Sequence, residues 1–522
     1  MFKKLFPKKQ KDISGVCDKS GDVKLPANIT TKLNMLQKYI ENSSDIIVRS
    51  FIIKAEQDIN AAVIYMQGVI DTQFLNQDII KPLMKFNEKE QSFNDNNLLD
   101  YITKRLVSIG QIKKKASLDE TVQCIYDGLT VLIVNGISEV IVFDIRGGET
   151  RTLDEPLLDR TICGPREGFV ESLTTNIALI RRKLRDTNLA VEKLIIGKRT
   201  RTDVAIMYIK DIANPEIVNE VLNRIKKIEM DGILSTGYIN QFIEDNPRSL
   251  FPLYREIERA DIAVAELLEG RVVIISDQSP LAIVYPALFV EMLQAAEDYS
   301  TKTQQGILMR LFRYVAFFSA VSLPALYISL ISFYQELIPY ELLIPIAKNR
   351  SEVPFPAVVE VLILEIVVQI IFEAGLRMPS PLGQTMGVVA GIILGQAIVS
   401  ASFVSPAIII VAATATISTF AISNFCMAIT SRLLRLIFIA TVAVFGIFGF
   451  TMTWLFLIVH LANQSSMGVP YFAPYAPFNF SDLKDSFIRS SIFSFKKRPE
   501  SVPNINKRRQ GNFRRGEQDN EN

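Results

Sequence analysis

The stretch from Pro356 to Pro379, PAVVEVLILEIVVQIIFEAGLRMP, constrains this chain more than any other. As a helix rising about 1.5 Å per residue, it matches a hydrocarbon core of roughly 30 Å. Yet it carries Glu360, Glu365, Gln369 and Glu373. At about 100° per residue, Glu365, Gln369 and Glu373 share one helical face, while Glu360 lies off that stripe near the start. Carboxylates at membrane depth are costly, so they face a bundle interior or a water-filled path. Two readings follow: a polar stripe lining an ion path, or a set of interhelical hydrogen bonds.

Other apolar runs surround this one. VAFFSAVSLPALYISLISFYQEL, from Val315, is long enough to span a bilayer, with Pro324 as a kink. GQTMGVVAGIILGQAIV places Gly383, Gly387, Gly391 and Gly395 at every fourth position, a ridge that lets another helix backbone approach closely. AIIIVAATATISTFAISNF, from Ala407, is rich in hydroxyls that bond backbone carbonyls or line a pore. LIFIATVAVFGIFGFTMTWLFLIVH runs from Leu436. Five spans from a cytoplasmic N-terminus would leave the C-terminus outside, yet the tail from Lys496 to Arg515 is basic, which favours the cytoplasm. The expectation is four full spans with one partial segment, in a transmembrane helical domain over residues 310–462.

Hydrophobic residues make up 49% of the chain and concentrate in its last two fifths, which fits a membrane part behind a soluble one. A net charge of +2 gives no reason to expect a nucleic-acid partner. The four cysteines, Cys17, Cys124, Cys163 and Cys426, form no CxxC and no regular spacing. The single histidine, His460, ends the last apolar run, so the soluble part has no Ser-His-Asp or Cys-His arrangement. No catalytic residue, cofactor or metal site is expected, and the chain is not read as an enzyme.

Ahead of the apolar runs, strand-like and helix-like segments alternate twice. AAVIYMQGVIDTQFLNQDIIKPLMK matches VAIMYIKDIANPEIVNEVLNRIKK, with Tyr65 against Tyr208 and Asn76 against Asn219 at one common offset. CIYDGLTVLIVNGISEVIVFD matches AELLEGRVVIISDQSPLAIVYP, with Gly128 against Gly270 at an offset one residue shorter. Each of these glycines is expected to close a helix before a β-hairpin, where a positive φ is needed. The fold class expected is therefore an α/β cytoplasmic domain of two similar tandem subdomains, 30–150 and 191–300, followed by an α-helical multi-span membrane domain. A basic flexible tail occupies 1–29, a connector helix segment with a basic face 151–190, and a basic disordered tail 481–522. GPREGF, in the connector, lacks both the GxxxxGK[ST] and the GxGxxG pattern, so it gives little support for a nucleotide loop.

Several long strings then resemble a known family. GPREGFVESLTTNIALIRRKLR, RTRTDVAIMYIKDIANPEIVNEV, DGILSTGYINQFIEDNPRSLFP and PFPAVVEVLILEIVVQIIFEAGLRMPSPLGQTMGVVAGIILGQAIV resemble the A subunit of GerA-type spore germinant receptors, over about residues 30 to 480. The resemblance implies a multi-pass protein of the spore inner membrane with a cytoplasmic N-terminal domain. It also implies a permease-like B subunit that senses the nutrient, a lipoprotein C subunit, and a pentameric homo-oligomer that conducts monovalent cations when nutrient binds. Under that reading Glu360, Glu365, Gln369 and Glu373 are the pore-lining candidates, and Val358 and Leu362 the constriction candidates. The glycine ridge packs helices. The alternatives are a non-conducting scaffold that relays the partner's signal, and a secondary transporter.

Overall fold

The computed structural model describes residues 23–54, 58–85, 101–107, 109, 111–147, 156, 159, 164–377, 391 and 395–511. The chain divides into two compact units, Met1–Thr152 with Thr174–Glu192, and Leu153–Leu173 with Lys193–Asn522.

In the first unit, helix α1 (Ile29–Ile40) precedes strands β1 (Ile46–Ile53) and β2 (Ile59–Met66). A helical stretch over 72–85 follows, then β3 (Ile112–Lys115), α2 (Leu118–Tyr126), β4 (Thr130–Val134), β5 (Val140–Phe143) and α3 (Leu173–Lys183). The strands form one antiparallel sheet in the order β1-β2-β4-β5-β3. Because side chains alternate across a strand, Val63, Leu132 and Ile141 pack on one face and Ile64, Ile133 and Val142 on the other. Every residue of β4 and β5 is buried, which fits their sequences TVLIV and VIVF, rich in β-branched residues. Leu25 is buried and Lys24 bridges to Ser117, so the last residues of the expected N-terminal tail belong to this unit, while residues 1–22 lie outside the described ones.

Strand β6 (Leu189–Ile196) begins in the first unit and continues into the second, which goes on with β7 (Thr202–Ile209), α4 (Pro215–Lys226) and α5 (Thr236–Ile243). Strand β8 (Arg255–Ile257), α6 (Ala260–Leu268), β9 (Val272–Ser276) and β10 (Ala282–Tyr285) complete its sheet. Its strand order is β6-β7-β9-β10-β8, position for position the order of the first. Helix α4 starts where Asn214 accepts the Glu216 N–H at 2.9 Å and Pro215 takes the first turn. Gly128 and Gly270, directly before the β4–β5 and β9–β10 hairpins, have φ of +80° and +89°.

A helical bundle completes the second unit: α7 (Thr303–Ser332), α8 (Tyr340–Ser351), α9 (Ala357–Arg377), α10 (Pro406–Phe420) and α11 (Phe425–Asn463). Helices α7 and α11 are each long and apolar enough to cross a membrane; α10, with 15 residues, is shorter. The contacts fix the direction of each helix. The base of α7 lies on the α/β part, where Arg310 and Arg313 pair with Asp298. Helix α9 begins at the far end, where Phe355 stacks with Phe403 at 6.1 Å. Helix α10 returns to the α/β end, where the Ser423 hydroxyl donates to the carbonyls of Met292 and Gln294 at 3.2 and 3.0 Å. Helix α11 starts at the same end, since Thr430 donates to the Leu250 carbonyl at 2.8 Å.

The last apolar run is not one straight helix. Gly446, at φ 58° and ψ −138°, breaks it. Thr453 donates to Thr441, 12 residues earlier, at 2.8 Å, and Phe438 meets both Phe450 and Trp454 at ring distances of 5.8 and 5.2 Å. Twelve residues stand about 18 Å apart along a straight helix. Helix α11 is therefore a hairpin of two antiparallel arms, turning against Phe333 at the far end of α7. After its second arm the chain returns to the α/β part, where Ser466 donates to the Leu253 carbonyl at 2.6 Å. Both ends of the bundle's chain thus lie on its α/β side.

Two expectations change on this evidence. Within the expected connector 151–190, helix α3 is not a separate piece: Ala178 enters the first unit's core, and Arg181, on its basic C-terminal turn, is buried against Asp45 at 2.8 Å. The tail expected to be disordered from residue 481 is packed as far as Gly511. Val502 sits in the core beneath β7 and β9, Arg489 is buried against the Thr301 carbonyl at 2.8 Å, and Arg498 donates to the Leu268 carbonyl at 2.6 Å.

Candidate functional site

Helix α9 follows Pro356, whose carbonyl accepts the Val359 and Glu360 N–H groups at 2.9 and 3.2 Å and so opens the first turn. Its four polar side chains have four different surroundings. Glu360 is fully buried. One carboxylate oxygen accepts the Ser405 N–H at 2.9 Å, at the N-terminus of α10, where the helix dipole favours an anion. The other lies 3.6 Å from the Arg350 guanidinium. Glu365 is held by Arg435, whose Nη1 donates to both of its oxygens at 2.8 and 3.1 Å. Gln369 and Glu373 are exposed, and Glu373 pairs with Arg377 one turn on at 2.7 Å. The polar groups are therefore split: Glu360 and Glu365 are engaged inside the chain, and Gln369 and Glu373 face outward.

Arg435 is the node of the bundle. It is 1% exposed, on the first arm of α11. Besides Glu365 on α9, it donates to the Ala320 carbonyl on α7 at 2.7 Å and to the Thr419 hydroxyl on α10 at 2.8 Å. One guanidinium thus ties four helices through donors in a fixed planar fork. One turn earlier, Arg432 lies over the Phe372 ring at 3.7 Å, a cation–π contact between α11 and α9. Neither arginine was singled out by sequence reasoning. The available signal was complementarity: a lone cation in one apolar run has to meet an acid in another.

The remaining predicted residues divide in the same way. Val358 is half-buried against the bundle core, while Leu362 is 37% exposed and shares an outward stripe with Ile366 and Ile370. Gly383 and Gly387 lie outside the described residues. At Gly391 and Gly395 an added Cβ would meet nothing within 4 Å among the described residues.

Below the bundle, a charged collar joins α7 to the neighbouring sheet. Arg271 is buried between Glu266, at 3.1 Å, and Glu291, while Glu266 also takes Arg255. Arg310 reaches both Asp298, at 3.4 Å, and Asp485 of the C-terminal strap, at 3.1 Å. Cys426, at the start of α11, donates to Glu256 at 3.4 Å, and burial pushes the Glu256 carboxyl above its ordinary range.

The chain matches the model of the Bacillus/Clostridium GerA spore germination protein family over residues 34–501. It is 38% identical over 500 residues to spore germination protein KA of Bacillus subtilis (strain 168), covering 96% of this chain and 91% of that one. It is 33% identical over 483 residues to the uncharacterized membrane protein YfkQ of the same organism, covering 92% of each. Among solved structures it is similar to the N-terminal domain of the A subunit of the Bacillus megaterium spore germinant receptor GerK3. That likeness has 33% identity and a TM-score of 0.42, over 52% of this chain and 98% of that one.

Proposed function

Because the chain belongs to the Bacillus/Clostridium GerA spore germination protein family, we propose that it is the membrane-embedded A-type subunit of a germinant receptor and that copies of it together line a path for monovalent cations. The observation that carries this reading is the outward face of α9. Gln369 and Glu373 stand exposed on a helix whose neighbouring exposed residues are Leu362, Ile366 and Ile370. Facing lipid, a carboxylate and an amide at that position are costly, whereas facing a shared aqueous path they are solvated. In a closed ring of identical subunits the Glu373 side chains form a ring of carboxylates, each shared between Arg377 one turn on and passing cations. Leu362 and Ile366, higher on the same stripe, form an apolar constriction that gates by dewetting.

Under this reading α7, α9, α10 and both arms of the α11 hairpin are embedded. The α/β domain and the C-terminal strap lie on the cytoplasmic side of the spore inner membrane. Glu360 and Glu365 are struts rather than lumen groups, because Ser405 and Arg435 already engage their oxygens. The subunit works with a permease-like B subunit and a lipoprotein C subunit in a homo-oligomer, taken as a pentamer. The ridge at Gly391 and Gly395 supplies a contact surface between copies. No catalytic step is assigned to it.

A second reading, a non-conducting relay, is favoured by the collar, which links the sheet, the base of α7 and the C-terminal strap through buried ion pairs. Cation flux through liposomes that hold the purified chain separates the two. Release that loses cation preference in Glu373→Gln supports the path. Absence of release from folded oligomers leaves the relay.

A further inference from the structure

The first unit carries a cavity that the reading of the helices does not use. Its volume is about 350 Å³, and Arg146, Arg181, Arg182 and Arg185 all line it, with Asp127 as the acid among its walls. Arg181 is 2% exposed. Its Nε and Nη2 are taken by Asp45 at 2.8 and 3.0 Å, and its guanidinium lies over the Tyr126 ring at 5.4 Å. Its Nη1 is buried with no hydrogen-bond partner among the described residues. A buried charged donor left unpaired is costly, so such a group calls for an acceptor from outside the chain.

The other three arginines fit the same demand. Arg146 is oriented by Asp144, which accepts from Nε at 2.8 Å and from Nη2 at 2.5 Å. Gly128, at φ +80°, leaves room beside the Arg146 stem, since a Cβ there would stand 3.7 Å from its Cδ and 2.7 Å from Val69. Arg182 and Arg185 are exposed and have no ion-pair partner among the described residues. Arg181 and Arg146 have carboxylates of their own in Asp45 and Asp144, so the charges left facing Asp127 are those of Arg182 and Arg185, an excess that an anion between them offsets. Guanidinium forks match the paired oxygens of phosphate, a geometry that a chloride does not offer. The volume lies at the small end of the range for small-molecule sites.

We infer that this cavity binds a small phosphomonoester, with Arg181 as the deepest donor and Arg182 and Arg185 as the outer pair. The ligand stabilises α3 against the first sheet, because Arg181 belongs to the helix and Asp45 precedes β1.

The test uses the full-length protein in nanodiscs of neutral lipid, titrated calorimetrically with inorganic phosphate and with chloride at matched ionic strength. Saturable phosphate binding is expected, weakened at least tenfold in Arg182→Ala/Arg185→Ala and tightened in Asp127→Asn. Because Arg182 and Arg185 are exposed, that double variant keeps its fold, checked by circular dichroism. Equal binding of chloride, or unchanged phosphate affinity in the double variant, overturns the inference. A parallel arm uses vesicles containing phosphatidic acid. Capture by those vesicles without any soluble phosphate binding would assign the arginines to a lipid headgroup and overturn it as well.

Discussion

Replacing Arg435 with Met is the sharpest perturbation of the bundle. The substitution removes the Nη1 contacts to Glu365 at 2.8 and 3.1 Å, the Nε contact to Ala320 and the Nη2 contact to Thr419. Ala320 and Thr419 lose little, since helical carbonyls and hydroxyls have local partners. Thr419 itself donates to the Ala415 carbonyl at 3.1 Å. Glu365 loses most, because its side chain is only 13% exposed and its charge is left without a counterion. Removing one partner of such a buried pair costs about 3–5 kcal/mol, whereas replacing both by apolar groups is often neutral. Arg435→Met should therefore destabilise by about 3–5 kcal/mol, and Arg435→Met/Glu365→Met should recover most of that loss. Glu365→Gln, which keeps an acceptor, should cost less, about 1–3 kcal/mol. The assay is the denaturant midpoint of detergent-solubilised protein, read by loss of the monodisperse peak. Two results would refute the strut: a single variant within about 0.5 kcal/mol of the parent, the scale of an ordinary surface change, or a double variant as unstable as Arg435→Met.

Two further predictions follow from glycines. Gly446→Ala forces a Cβ into a backbone region reserved almost wholly for glycine and to 3.0 Å from the Phe333 ring, so it should cost at least about 1–3 kcal/mol and lower the yield of folded protein. Parent-like yield and midpoint would show that the hairpin turn is not tight there. Gly391→Leu meets nothing within 4 Å among the described residues, so the monomer should remain folded while the oligomer is lost in size-exclusion light scattering. An intact oligomer would remove the ridge from the contact between copies.

Local patterns in the sequence were a good guide to the elements and a poor one to their partners. Gly128 and Gly270 announced two helix ends and two hairpins, and the runs around Val315, Ala407 and Leu436 announced helices, because periodicity and φ preference act over a few residues. The fate of Glu365 was not legible in this way. Its partner Arg435 is 70 residues away, on a helix whose contact with α9 no local pattern encodes. Arg181 was misjudged for the same reason, since Asp45 lies 136 residues earlier. The turn at Gly446 was hidden inside FGIFGF, which reads as continuous apolar helix and reveals its reversal only through pairs such as Thr441 with Thr453. The strap from 481 to 511 has few apolar residues. It is packed by arginines that reach carbonyls and carboxylates, partners that composition cannot name.

The central claim is that the outward stripe of α9 lines a cation path. Its most direct test is potassium release from liposomes holding the purified chain, alone and with the B and C subunits proposed for it, with and without candidate nutrients. The account predicts nutrient-dependent release whose preference for potassium over chloride drops in Glu373→Gln, with oligomer assembly intact. Release that keeps its selectivity in Glu373→Gln, or no release from well-folded complexes, would contradict it and leave the bundle as a relay.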